Sequence, residues 1–243
     1  VDESLLEYKH LVSEPYLKWI KENTNNGYKV GYDARLHRAN WVKSAKKILG
    51  DKLDLVSISE NPIDFYWQEK PEAKCEKALL LHQKYTGKSS ADKRNEIATT
   101  LKLENVDAAF LTQLDSIAWL LNIRGTDVPC NPVLLCHAII YKNSAVDLFI
   151  NLEKIPNGFG NHVGNGVNVI ASNKMENQIT NLNGKRILYD YTRSNAYCLE
   201  LLTKAGGEIV NGGDPCVLPK ACKNDIELEG MKSCHIRDAL AEC

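Results

Sequence analysis

Apolar residues recur along this chain with two periods, and the switches between them mark out the elements. Tyr16 to Glu22 predicts a helix opened by Pro15, a residue favoured in the first turn. Asn26 to Asp33 supplies a turn and a short strand. Trp41, Val42, Ala45, Ile48 and Leu49 share one helical face, with Gly50 as the C-terminal stop. Asp54 to Ser59 returns to a strand, and the order strand, helix, strand predicts a parallel crossover.

The pattern then breaks. NPIDFYWQEKPEAKCEK holds two prolines, many charges and the aromatic residues Phe65, Tyr66 and Trp67. It predicts a connector whose aromatics dock onto a domain, with a linker running to about Gly87. Periodicity resumes at Ser89 or Ser90, either of which can cap a helix with Asp92 or Lys93 in its first turn and Ile97, Leu101 and Leu103 on its apolar face. Asp107 to Thr112 reads as a buried strand. LLCHAIIY and AVDLFI read as two strands joined by a tight turn with Asn143 and Ser144 at its tip. VNVIA, KRILYD and EIVNG are further strands, alternating with helices in NKMENQITNL and SNAYCLELLTKAGG. Repeated βα alternation with one hairpin predicts an α/β fold with a mixed, mostly parallel sheet flanked by helices. The last segment, NDIELEGMKSCHIRDALAEC, is helical in pattern and lacks a stop signal, which predicts that the polypeptide continues.

One stretch, LDSIAWLLNIRGTDVPCNP from Leu114 to Pro132, runs from an apolar helix straight into a charged loop. Leu114, Ile117, Ala118 and Leu121 recur at helical spacing, and Trp119 and Leu120 widen the buried face. Gly125 can take the left-handed turn that ends a helix. Arg124 stands at the negative helix end, where dipole pairing or an ion pair with Asp127 would suffice to explain it. Pro129 and Pro132 stiffen a loop presenting Arg124, Asp127 and Asn131, the kind of segment that lines a site edge or a domain contact.

Composition narrows the function classes. With 243 residues, 44% hydrophobic and 25% charged, the chain can bury a sizeable core. A net charge of −1 without a dense basic block disfavours nucleic-acid binding. No apolar run reaches membrane-spanning length, so no membrane partner is expected. VDESLLEYKH has neither the basic start nor the apolar middle of a signal peptide, and lacks an initiator Met, pointing to a fragment or processed product. The eight cysteines are irregularly spaced, which favours reduced cytoplasmic thiols. Cys216, Cys222, Cys234 and His235 are the nearest approach to a zinc set, but their spacing is not a usual knuckle.

Other motifs carry less. NGFGNHVGNG resembles a phosphate loop, yet a dinucleotide loop must follow a strand directly and open a helix, so a flexible surface loop is expected. His137 lies inside an apolar strand and reads as a core or pocket-wall residue. Glu227 and Glu229 sit at a helix start, where a dipole role suffices.

Taken together, these stretches carry a resemblance. LDSIAWLLNIRGTDVPCNP followed by AIIYKNSAVDLFI resembles the second domain of aminopeptidase P, the Xaa-Pro aminopeptidases of the creatinase/prolidase group. NPIDFYWQEKP is similar to that family's connector in Asn61, Asp64, Trp67 and Pro71, although Lys70 stands where Arg is usual. YTGKSSADKRNEI is similar to the start of its second domain. The terminal segment resembles the first catalytic-domain helix in Glu229, Gly230, Met231, His235, Ile236, Arg237, Asp238 and Ala239.

The resemblance implies a creatinase N-terminal, ribonuclease H-like fold with an incomplete similar domain before it. Residues 1–70 would be the rear part of a first domain, 71–88 a linker, 89–222 a second domain, and 223–243 the entry helix of a "pita-bread" catalytic domain. That domain would hold two divalent metal ions, usually manganese, so no catalytic or metal-binding residue and no cofactor is assigned to this chain. Expected partners are the chain's own C-terminal catalytic domain, a second copy in a homodimer, and peptide substrate. Arg124, Asp127 and Asn131 are the candidate channel or domain-contact residues. A stand-alone binding module of the same fold, without peptidase activity, remains the alternative.

Overall fold

The computed structural model describes residues 3–71 and 75–242. The chain divides into two compact units, Val1–Lys70 with Asn195–Tyr197, and Pro71–Ser194 with Cys198–Cys243.

In the first unit the elements run α1 (Tyr16–Asn23), β1 (Lys29–Tyr32), α2 (Ala39–Leu49), β2 (Asp54–Ser57) and α3 (Pro62–Tyr66). The strands pair in parallel, Lys29 opposite Asp54 and Tyr32 opposite Ser57, which is the predicted crossover. Helix α2 buries Ala39, Val42, Ala45 and Leu49, while Ile48 faces outward. Gly50 ends it at φ 60°, its N–H donating to the Lys46 carbonyl. The connector aromatics behave differently from expectation. Asn61 caps α3 through the Ile63 N–H at 2.9 Å, no residue of α3 is buried, and Phe65, Tyr66 and Trp67 all stay exposed. Phe65 and Tyr66 instead meet edge-to-face at 5.0 Å.

Asp33 closes the end of β1. Its carboxylate accepts from Arg35 Nε at 2.9 Å and Nη2 at 3.0 Å, and from Asn61 Nδ2 at 3.1 Å. The Arg35 hydrogen bonds hold the Asp33 carboxyl down at about 2, well below its usual value. A depressed carboxylate contributes stability above its unfolded value and loses it as pH falls through the folded one. Acid unfolding of the first unit between about pH 4 and pH 2 is therefore expected to flatten in Asp33→Asn, as followed by circular dichroism. An unchanged acid limb would contradict this role.

The second unit begins with β3 (Leu79–Leu80), α4 (Gln83–Thr86), α5 (Ser90–Leu103), β4 (Ala108–Leu111), α6 (Leu114–Leu121) and β5 (Ile123–Arg124). It continues through β6 (Cys136–Tyr141), β7 (Val146–Ile150), α7 (Phe159–Val163), β8 (Val167–Ala171), α8 (Met175–Ile179), β9 (Arg186–Tyr189), α9 (Ala196–Lys204, counted in this unit from Cys198 on), β10 (Glu208–Asn211), α10 (Val217–Ala221) and α11 (Asp225–Glu242). Six strands form one sheet in the order β10-β9-β4-β6-β7-β8. Only β6 runs antiparallel to its neighbours, so the sheet is mixed and mostly parallel, as the alternation predicts. Fully buried Ile97, Leu101, Ile117, Leu120, Leu121, Leu148 and Ile150 belong to one core built from α5, α6 and the sheet. The β6–β7 turn has Ser144 at φ 67° and Asn143 Oδ1 accepting from the Ala145 N–H at 3.1 Å.

Of the two candidate caps for α5, the fold uses Ser89. Its Oγ accepts from the Asp92 N–H at 3.1 Å, and Asp92 accepts in return from the Ser89 N–H at 3.2 Å. Ser89→Ala is expected to cost about 1 kcal/mol in urea unfolding, the usual loss for a helix cap. A change within experimental error would show that the cap is redundant.

Two expectations need correcting. The helix predicted over residues 173–182 is broken into Ser172–Lys174, Met175–Ile179 and Thr180–Leu182, with only Met175, Ile179 and Leu182 buried. The glycine-rich segment is a pinned structure rather than a free surface loop. Phe159 and Val163 enter the core, and the buried Arg94 guanidinium donates to the carbonyls of Val163, Asn165 and Ser144 at 2.8–3.0 Å.

Candidate functional site

Helix α6 buries every residue from Ser116 to Leu121, so its C-terminal carbonyls need partners away from water. The left-handed residue that ends it is Asn122, at φ 53° and ψ 42°, not Gly125. Asn122 organises the turn. Its Nδ2 donates to Lys88 O at 2.9 Å, and its carbonyl accepts from the Leu81 N–H and from His162 Nε2, both at 2.9 Å. Its Oδ1 accepts from Lys93 Nζ at 2.8 Å.

Lys93 is almost fully buried. Its ammonium also donates to Trp119 O at 3.1 Å and lies 4.6 Å from the Trp119 ring centre. Burial pulls its pKa down to about 8. A carbonyl, an amide oxygen and an aromatic face therefore hold this cation, which forms no ion pair among the described residues.

Arg124 follows on β5, which pairs antiparallel with β3 inside segment 71–88, Leu79 opposite Arg124. Its Nη1 donates to Ala118 O at 3.1 Å and to Ile123 O at 2.8 Å. The dipole-pairing expectation therefore holds at the Ala118 carbonyl, and the alternative Asp127 ion pair does not form. Asp127 pairs instead with Lys154 Nζ at 2.5 Å and accepts from the Leu135 N–H at 2.6 Å, both through Oδ2. The two side chains of this pair are 3% and 8% exposed, so Asp127 works inside the fold. Gly125 is required for close packing, because a Cβ there would lie 2.3 Å from Leu134 Cδ2. Asn131 is exposed at the loop tip, where Cys130 adopts φ 59° and the Val133 N–H donates to Asn131 O at 2.8 Å.

Helix α11 supplies the facing wall. Asn224 Oδ1 accepts from the Glu227 N–H at 3.0 Å, and Glu227 Oε2 accepts from the Asn224 N–H at 3.1 Å, a reciprocal cap. Asn224 Nδ2 donates to Thr86 O at 2.9 Å and thereby ties α11 to α4. Gly87, at φ 70°, leaves room for Asn224, whose Oδ1 would lie 2.4 Å from a Cβ at that position. Between the two walls lies a groove of about 650 Å³, lined by Trp119, Arg124, Asn131 and Pro132 on one side and Glu227 and Met231 on the other.

The structure thus gathers Arg124 and Asn131 in one groove and leaves Asp127 out of it. The pattern of apolar residues passed over Lys93 and Asn122. The signals were a lysine on the buried face of a predicted helix and an Asn directly after the last apolar helical residue. His137 is half-buried in β6, with its pKa lowered by burial and its ring 6.0 Å from Phe110, in keeping with a wall residue. Glu227 takes the helix-start role expected of it. Cys216 is buried whereas Cys222 and Cys234 are exposed, and none of these three is in a disulfide. Among the described residues no three His, Cys, Asp or Glu side chains converge on a point that could hold a metal ion. The described donors therefore do not fit the dinuclear metal implied by the resemblance. No helix among the described residues is long and apolar enough to cross a membrane.

Residues 69–227, which include most of this groove, match the Creatinase/Prolidase N-terminal domain family. The chain belongs to that family. Its relatives include Xaa-Pro aminopeptidase 1 of Dictyostelium discoideum, 32% identical over 245 residues, covering 95% of this chain and 38% of that protein. A probable Xaa-Pro aminopeptidase P of Ajellomyces capsulatus is also 32% identical, over 92% of this chain and 39% of its own length. The crystal structure of X-prolyl aminopeptidase from Caenorhabditis elegans, a cytosolic enzyme with a di-nuclear active site, superposes with a TM-score of 0.82 at 25% identity. It covers 91% of this chain and 37% of that enzyme. This creatinase/prolidase N-terminal chain therefore spans well under half the length of the relatives it matches.

Proposed function

We propose that the chain is the non-catalytic N-terminal region of an Xaa-Pro aminopeptidase, an enzyme releasing the first residue of peptides with proline in second place. The observation that carries this reading is similarity to a named Xaa-Pro aminopeptidase along 95% of the chain. In this reading two divalent metal ions, manganese foremost, belong to a C-terminal domain, and this region stays inactive alone. The region supports homodimerisation and narrows access to the active site, and the enzyme works in the cytoplasm. The groove beside Arg124 and Asn131 is the face turned toward the rest of the enzyme. Two features support that assignment: α11, the segment similar to the catalytic entry helix, forms one wall, and no residue of α11 is buried.

The test uses the longer polypeptide from the same source. Supplied with manganese, it is expected to release the first residue from an Xaa-Pro-Xaa peptide and to lose that activity on chelation, while residues 1–243 alone release none. A metal-replete longer polypeptide that leaves such peptides intact overturns the reading. Sedimentation of that polypeptide as a monomer would remove the homodimer from it.

A further inference from the structure

The groove between the α6–β5 turn and α11 carries an unbalanced charge. Arg124, Lys220 and Lys223 line it against two carboxylates, Asp115 and Glu227. Asp115 is already ion-paired with Lys220. Glu227 accepts from the Asn224 backbone N–H at the start of its own helix. Among the described residues Arg124 forms no ion pair. Its acceptors are two carbonyl oxygens, both reached through Nη1, and a guanidinium has five N–H donors in a fixed planar fork. Burial lowers the Arg124 pKa, and the Glu227 charge partly opposes that shift. Among the described residues this partly desolvated guanidinium, beside an apolar wall of Trp119, Pro132 and Met231, has no carboxylate in direct ion-pair contact.

We propose that this groove docks an acidic peptide segment, whose Asp or Glu carboxylate pairs with Arg124 while flanking apolar side chains pack on Trp119, Pro132 and Met231. The proposal rests on reading the groove as a docking face and does not depend on peptidase chemistry. Charge complementarity selects the occupant: pairing spends one negative charge on a groove whose own balance is one positive. The planar fork matches a carboxylate with two parallel N–H···O bonds, which a lysine ammonium cannot reproduce. A cavity of about 650 Å³ has room for two or three side chains. An isolated tripeptide should bind weakly, because the same contacts made by a tethered segment gain from effective concentration.

The experiment needs neither metal nor catalysis, so its failure is separable from failure of the peptidase reading. The 243-residue chain is titrated with acetyl-Leu-Glu-Leu-amide and, in parallel, acetyl-Leu-Gln-Leu-amide, following the indole N–H resonance of the groove residue Trp119 by NMR. Expected is saturable binding of the Glu peptide at least about tenfold tighter than the Gln peptide, the ratio a charge-assisted bidentate pair provides over a neutral one. Arg124→Lys should lose most of that preference. Met231→Glu, on the exposed helix wall, should abolish it by placing a carboxylate in the groove, and it serves as the second variant if Arg124→Lys disturbs the α6 end. Equal affinity for the two peptides, no saturation by either, or binding unchanged in Met231→Glu overturns the proposal.

Discussion

Gly125→Ala is expected to destabilise the second unit by about 2–3 kcal/mol, at the upper end of what overpacking a close-packed core costs. The reason is geometric. A Cβ at Gly125 would lie 2.3 Å from Leu134 Cδ2, 2.4 Å from its Cγ and 3.0 Å from the Val133 carbonyl oxygen. Leu134 is among the most deeply buried side chains and belongs to the core, so it cannot swing into solvent to make room. The Val133 oxygen is backbone and moves only if the whole 125–133 loop moves. Urea unfolding should report the loss as a lower midpoint with an unchanged slope. A double-mutant cycle isolates the cause: Leu134→Ala alone costs a cavity, yet combined with Gly125→Ala the two losses should be clearly less than additive. Additive losses would mean that the glycine is kept for another reason.

This position also shows where sequence reasoning stopped. Glycine after an apolar helix reads as a left-handed stop, and that rule gave the wrong residue because Asn122, three positions earlier, already ends α6. Both residue types tolerate the left-handed region, and the pattern alone does not say which is used. The strands and the α5 cap were legible because they depend on short-range periodicity and on one side chain reaching its own backbone. The broken helix over residues 172–182 was not, since Met175, Ile179 and Leu182 recur at helical spacing although the chain between them changes from one helix type to another.

Long-range electrostatic pairing was the least legible feature. Arg124 and Asp127 are three residues apart, which invites pairing them, but Asp127 is claimed by Lys154, 27 positions away. The groove also depends on such distant partners: Asn224 reaching Thr86 sets the position of α11 across 138 residues. Arg94 binding three carbonyls of the Ser144–Asn165 region is a third example. In each case the residue type was visible and the partner was not. The partner is chosen by the sheet order, which brings the β3–β5 ladder, the α7 turn and the end of α6 to one corner of the second unit.

The Asp127–Lys154 pair yields the other large effect. Lys154→Met is expected to cost about 3–5 kcal/mol, because it strands a buried carboxylate without its counter-charge. The Asp127 carboxylate would keep the Leu135 N–H at 2.6 Å, but its Oδ1 has no hydrogen-bond partner among the described residues. Asp127→Asn should cost less, because its amide oxygen can accept from both Leu135 and the lysine, and the long lysine stem lets the ammonium turn toward water, which the short carboxylate cannot do. The combined variant Asp127→Leu with Lys154→Met should recover much of the loss, since replacing a whole buried ion pair by apolar groups of similar volume is often near neutral. Thermal unfolding of the three variants decides between two roles for this residue. Recovery of the fold in the double variant, with Arg124-dependent peptide binding intact, means that Asp127 holds the loop and takes no part in recognition. Recovery of the fold with loss of that binding would return Asp127 to the docking face. The internal position of its carboxylate, 3% exposed against Lys154, favours the first outcome.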